Sequence, residues 1–229
     1  MNVTSYHQLQ HFTYLKRIYY IAIRIMNKTD FENRVRYKLR GWYGKKEYED
    51  MAVQRIINLR NEYHSLLASS KRDGIPSLLE YLDECGFYYR PSSADRHHNY
   101  PGGLAEHCLG VYRKMSEYDL AGYADESIMI VGLFHDLCKC DMHYFIGRSI
   151  HAHKRDGHGR RSVRILRRYG VPLSGEEYRA IRYHMGRSDN PNRLKDPGFA
   201  QAVKEPLRIA VNDADHADAA EACARARRK

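Results

Sequence analysis

Apolar side chains recur at intervals of three and four residues along nearly the whole chain, the spacing of one face of an α-helix. Met51 to Ser69 reads as a helix, followed by a break at Lys71-Arg72-Asp73-Gly74. A second helix follows from Ile75 to Cys85, with Pro76 in its first turn and Gly86 as its C-terminal cap. Phe87 to Gly103 is a loop punctuated by Pro91, Ser92, Ser93, Pro101, Gly102 and Gly103. Five further helices are expected at about 103–118, 125–140, 157–169, 174–186 and 206–221. Ser174 followed by Glu177 forms a capping box for the fourth, and Pro206 suits the first turn of the fifth. No stretch alternates long enough to predict a strand and no segment repeats, so the fold class is all-α.

The N-terminal part differs in charge. Tyr14, Ile18, Ile21 and Ile25 fall at helical spacing among Lys16, Arg17, Arg24 and Lys28, and Gly41-Trp42-Tyr43-Gly44 reads as a turn between helices. Residues 1–50 carry ten basic against five acidic side chains, residues 51–103 six against six, and residues 104–229 22 against 17. A basic helical N-terminal extension over 1–50 and a main domain over 51–229 are therefore expected. The extension either touches nucleic acid or a membrane surface, or packs on the main domain with its basic face in water. The whole chain of 229 residues has a formal net charge of +10, which favours polyanionic partners without choosing among them. Its 43% hydrophobic and 29% charged residues exclude disorder as a description of the whole. Five cysteines, an odd number without framework spacing, argue against an oxidised secreted scaffold, and Cys138 and Cys140 read as reduced thiols. No signal peptide is visible, and Tyr19 to Met26, broken by Arg24, falls far short of the roughly 20 residues of a membrane span. A cytoplasmic protein is expected.

The chemistry lies in the histidines, of which there are 13. Each of the five later helices sets a His or Asp on an otherwise apolar face. His107 lies within the stripe of Leu104, Cys108, Val111 and Met115, and Ile128, Val131 and Phe134 lead to the adjacent pair His135-Asp136. His158 precedes Ile165 and Leu166 by two turns, His184 follows Ala180 and Ile181, and Leu207 and Val211 point at Asp215. Burying one such group is common; burying six from five successive segments calls for something that makes it favourable. Imidazole nitrogen and carboxylate oxygen are good ligands for Zn, Mn, Fe, Co or Ni, whereas an unpaired buried carboxylate is costly.

The order H…HD…H…H…D resembles the HD superfamily of metal-dependent phosphohydrolases. The residues that carry the resemblance are Gly102-Gly103-Leu104-Ala105-Glu106-His107 and Gly132-Leu133-Phe134-His135-Asp136-Leu137-Cys138-Lys139, then Gly157-His158-Gly159, Arg182-Tyr183-His184-Met185-Gly186 and Ala214-Asp215. It runs from about Met51 to Ala220 and is nearest to bacterial and phage-type HD hydrolases with a Pro-Ser-Ser type loop before the first His, here Pro91-Ser92-Ser93. It is similar, more loosely, to HD-domain 3′–5′ exoribonucleases. The resemblance implies an HD-domain helical bundle holding two divalent metal ions (Mn, Fe, Co, Ni, Mg or Zn). One would be held by His107, His135, Asp136 and Asp215. The second would take His158 and His184, with Asp136 between them. Helical spacing and the family's Ala-Asp pattern both select Asp215 from the neighbouring Asp213 and Asp218. Members often carry His three residues before that Asp, where this chain has Asn212.

The implied activity is a phosphodiesterase or nucleotidase cleaving a phosphate ester by a metal-bound hydroxide, with Asp136 and Lys139 as catalytic residues and a phosphate-bearing small molecule or nucleic acid as substrate. Lys139 either stabilises phosphate and positions water or forms a surface ion pair. Between Tyr144 and Gly170 eight basic residues face the single acid Asp156; Arg160, Arg164 and Arg167 share a helix face, and Arg160 and Arg187 are candidate phosphate contacts. The same face is equally readable as a solvated one. His97, His98, His143, His151 and His153 read as loop or surface histidines. Two other classes are weighed: a nucleic-acid-binding module with structural metals, and a di-iron oxygenase of the same fold.

Overall fold

The computed structural model describes residues 28–153, 157–186 and 196–228. The apolar stripe at residues 14–25 and the candidate phosphate contact Arg187 lie outside the described residues.

The element order is α1 (Lys28–Leu39), α2 (Lys46–Ala68), α3 (Ile75–Cys85), α4 (Gly103–Ser116), α5 (Asp125–Phe134), a 3-10 turn (Leu137–Asp141), β1 (His143–Ile146), β2 (Ser149–Ala152), α6 (His158–Arg168), α7 (Gly175–Tyr183), α8 (Pro197–Ala202) and α9 (Pro206–Arg227). The bundle is helical, as expected, around α5, whose residues Ile128 to Phe134 are all buried. A helix apolar on every side belongs at the centre of a bundle. Helices α4 and α9 flank it, and α6 packs against α7. The motif glycine Gly159 marks that last approach: a Cβ there would lie 2.3 Å from the carbonyl oxygens of Ile181 and Arg182.

The expected caps are present. Pro76 and Pro206 sit in first turns, Gly86 closes α3 in the left-handed conformation, and Ser174 and Glu177 satisfy each other's backbone N–H ahead of α7. Phe31, Val35 and Leu39 of α1 are buried in the same core as α2–α5, and α2 runs unbroken through position 51. Tyr63 of α2 ties this part to the centre, with its ring edge-on to Phe87 and Tyr88 and its hydroxyl donating to the Ala105 carbonyl at 3.0 Å.

Two local features differ from the sequence expectation. The helix expected over 125–140 stops at Phe134, and Asp136 has φ −105° and ψ 15°, outside the helical well. An antiparallel hairpin follows, with His143 paired to Ala152, Tyr144 to His151, Phe145 to Ile150 and Ile146 to Ser149. A four-residue strand of this kind carries too little alternation to stand out from sequence. No helix among the described residues is long and apolar enough to cross a membrane.

Candidate metal centre

His107 comes from α4, His135 and Asp136 from the segment after α5, His184 from the end of α7, and Asp215 from the middle of α9. The helix break explains the adjacent pair. Neighbours on a continuous helix point about 100° apart, so leaving the helix just after His135, at Asp136, lets both side chains turn inward. Ligand atoms of His107, His135, Asp136 and Asp215 all lie within 4.8 Å of one another, and all four residues are buried. His107 Nε2 is 3.1 Å from Asp215 Oδ1 and 3.6 Å from Asp136 Oδ2, and His135 Nε2 is 3.5 Å from that same Oδ2. His184 Nε2 approaches the other carboxylate oxygen, Oδ1, at 3.5 Å.

The second nitrogen of each imidazole fixes its tautomer. His135 Nδ1 donates to the Gly132 carbonyl at 2.9 Å and His184 Nδ1 to the Ile181 carbonyl at 2.7 Å. His107 Nδ1 donates to Asp218 Oδ2 at 2.7 Å. Carbonyl and carboxylate oxygens only accept, so Nδ1 carries a proton in all three rings, and in the neutral ring the lone pair lies on Nε2. Those three Nε2 atoms and Asp136 Oδ1 are buried and make no hydrogen bond. Buried polar atoms are ordinarily satisfied, and a convergent set left open is what a metal requires. Ligands about 2.0–2.2 Å from one cation stand roughly 3.0–3.5 Å apart, close to the spacings seen. The residues present fit a divalent cation.

The electrostatics agree. Burial lowers the His135 pKa to about 4, keeping that imidazole neutral. Burial acts the same way on His107 and is outweighed by Asp136, Asp215 and Asp218, which raise it to about 10. The same carboxylates attract a divalent cation, which competes with the Nε2 proton for one position. Burial alone would raise Asp136, but Lys139 and the imidazoles hold it well below the usual carboxylate range. Asp215 is held down likewise, against its burial, by His107 and His135.

Lys139 is not at the surface. It is buried, its Nζ lies 2.5 Å from Asp136 Oδ2, and it also donates to Ser92 Oγ at 3.5 Å, so the Pro-Ser-Ser loop reaches the site through its middle residue. His158 opens α6, half-buried, with Nδ1 3.8 Å from Cys138 Sγ; it is not among the four groups that converge within 4.8 Å. Arg160 is exposed in the first turn of α6, with Arg164 and Arg167 exposed beyond it.

Three residues outside the implied ligand set belong near this centre. Asp218, one turn beyond Asp215, orients His107, and its signal was the carboxylate spacing of three on one helix. His98 is buried rather than a surface residue: its φ of 50° is the only positive value at a non-glycine among the described residues, and its Nε2 is 3.7 Å from Asp218 Oδ2. His97, half-buried, places its ring 4.8 Å from that of His107. His143 is also buried, bonded to the Pro91 carbonyl at 3.2 Å. His151 and His153 are exposed, as expected.

Comparison with known families matches residues 104–223 to the HD domain, slightly more than half the chain. The chain belongs to the HD domain family, whose members are generally metal-dependent phosphohydrolases. No curated protein and no solved structure matches it.

Proposed function

We propose that the protein is a metal-dependent phosphohydrolase that cleaves a phosphate ester of a nucleotide or nucleic acid, as a phosphodiesterase or nucleotidase. The observation that carries this reading is the set of three imidazoles locked with Nε2 open toward one carboxylate. In the proposed assignment His107, His135, Asp136 and Asp215 would hold one divalent cation, and His158 and His184, together with Asp136, would hold a second. When bound, such cations polarise a phosphoryl oxygen and lower the pKa of a coordinated water toward about 7.

The protein's own groups do the remaining work. Asp136, kept ionised, orients the attacking water through an acceptor oxygen. Lys139 stays charged because Asp136 and Asp215 outweigh the effect of its burial, so its ammonium donates to a phosphate oxygen. Ser92 fixes the direction from which that ammonium approaches. Arg160 and Arg187 supply outer phosphate contacts and a positive approach.

The test is metal content of the purified protein together with hydrolysis of bis-p-nitrophenyl phosphate across Mn, Fe, Co, Ni, Zn and Mg. Bound metal and metal-dependent turnover are expected. Metal without turnover transfers the reading to a nucleic-acid-binding module or a di-iron oxygenase. Absence of metal after reconstitution under reducing conditions overturns the site itself.

A further inference from the structure

An isolated two-stranded hairpin is marginal in water, so the one between the 3-10 turn and α6 needs anchors. They lie along one face. His143 is buried on the Pro91 carbonyl, and Phe145 packs edge-on against Trp42 at 4.7 Å. Arg148 at the turn donates to the Gly41 carbonyl at 2.7 Å. The base is tied to the candidate site, because Met142 N donates to the Lys139 carbonyl at 3.0 Å and His153 N closes on the Met142 carbonyl at 2.9 Å.

Side chains alternate across a strand, so the opposite face carries Tyr144, His151 and His153. The Tyr144 ring stacks on His151 at 5.6 Å and 23°, and on His153 at 4.9 Å and 29°. Both imidazoles are exposed. Cross-strand packing accounts for Tyr144 facing His151, but it leaves the third ring and the open imidazole faces over. Directly along the chain come the arginines of α6, and the whole stretch from Tyr144 to Gly170 has eight basic side chains to one acid. Stacked rings followed in the chain by a cationic stretch suit a ligand with flat bases and a polyanionic backbone.

We propose that the outer face of the β1–β2 hairpin is a stacking platform for the bases of a single-stranded nucleic acid whose phosphodiester enters the adjacent site, a step that rests on the phosphohydrolase reading. Base pairing would hide the base faces from these rings, so single strands are preferred to duplex.

The experiment is fluorescence anisotropy of labelled oligothymidylate with the full-length protein in a chelating buffer, where cleavage does not interfere. The double variant Tyr144→Ala/His151→Ala is expected to weaken binding about tenfold or more, and Tyr144→Phe to bind like wild type, because stacking needs the ring and not the hydroxyl. No binding by wild type, an unchanged Kd in the double variant, or equal weakening by Tyr144→Phe overturns the proposal. Photocrosslinking of 4-thiothymidine oligonucleotide to wild type gives a readout that needs no variant: adducts within 143–153 support the platform, and adducts only elsewhere overturn it. Binding to phosphatidylserine vesicles in place of the oligonucleotide also overturns it. Bis-p-nitrophenyl phosphate carries no base to stack, so wild-type turnover of it separates failure of the platform from failure of the hydrolase reading.

Discussion

Asp218 touches none of the open ligand positions, yet its removal is expected to weaken metal binding. Its Oδ2 sits 2.7 Å from His107 Nδ1 in a buried pair, and that bond is what directs the lone pair of Nε2 inward. In Asp218→Ala the imidazole loses its partner, its tautomer is no longer fixed, and a buried N–H goes unsatisfied. Losing such an orienting partner costs about 10–100-fold in metal affinity, or roughly 1.4–2.8 kcal/mol. Asp218→Asn retains an acceptor without the charge and falls between wild type and Asp218→Ala. Gly110→Ala reaches the same bond from the other side: its Cβ would lie 2.2 Å from Asp218 Oδ1, so the carboxylate must move. Competition against a chromophoric chelator with Zn or Mn measures each Kd, with circular dichroism to verify folding. A folded Asp218→Ala protein whose Kd stays within twofold of wild type refutes the reasoning.

Replacing His135, His184 or Asp136 by Ala is expected to abolish metal retention and turnover in a protein that remains helical; metal analysis and circular dichroism check both halves. Cation at 100 times its Kd should stabilise the fold by about 2.7 kcal/mol, read as a rise in Tm over chelated protein, and an unchanged Tm contradicts metal binding at this centre. Gly159→Ala should destabilise by about 1–3 kcal/mol or more in urea melts, since its methyl meets two carbonyl oxygens of α7. Glu177 is buried, which alone would raise its pKa, but Arg72, bonded to it at 2.5 and 2.7 Å, brings it below the ordinary value. Because the folded pKa is depressed, this contribution is full above the unfolded value of about 4.3 and is lost as pH falls through the folded one. The gap in stability between wild type and Glu177→Gln should therefore be wide at pH 7 and narrow progressively below about pH 4; a constant gap contradicts the assignment.

Much of the centre was legible because burial leaves a periodic trace. His107, His184 and Asp215 each stand on a helix whose apolar stripe predicts where they point, and the caps around them follow local rules. The break after Phe134 left no such trace: Leu137 and Cys138 continue the apolar run, and only tertiary packing decides that the backbone departs from the helix there. Asp218 was passed over in favour of Asp215 because spacing reports which residues share a face, not which carboxylate joins the convergent set and which holds the far nitrogen of a histidine. The burial of His98 and His143 depends on how a proline-rich loop folds back on Lys139, a long-range contact no window of sequence contains. The position of His158 beside Cys138 has the same origin.

The anchoring of the three imidazoles bears on how this centre tolerates change over generations. His135 and His184 each lean on the carbonyl three residues earlier in their own segment, Gly132 and Ile181. Every amino acid supplies that carbonyl, so no single substitution can delete it. His107 leans on a side chain 111 positions away, at the far end of the chain. Two imidazoles are thus insured by the backbone itself, while the third is exposed to drift at one codon. The helix that carries this codon also carries Asp215, so loosening α9 from α4 would withdraw a proposed ligand and an orienting partner together. Natural variation should accordingly be tolerated at residue 181 as far as packing allows, whereas Gly132 is held to glycine by its approach to Tyr112, whose Cα would lie 2.6 Å from a Cβ there; variation should be narrow along the inward face of α9.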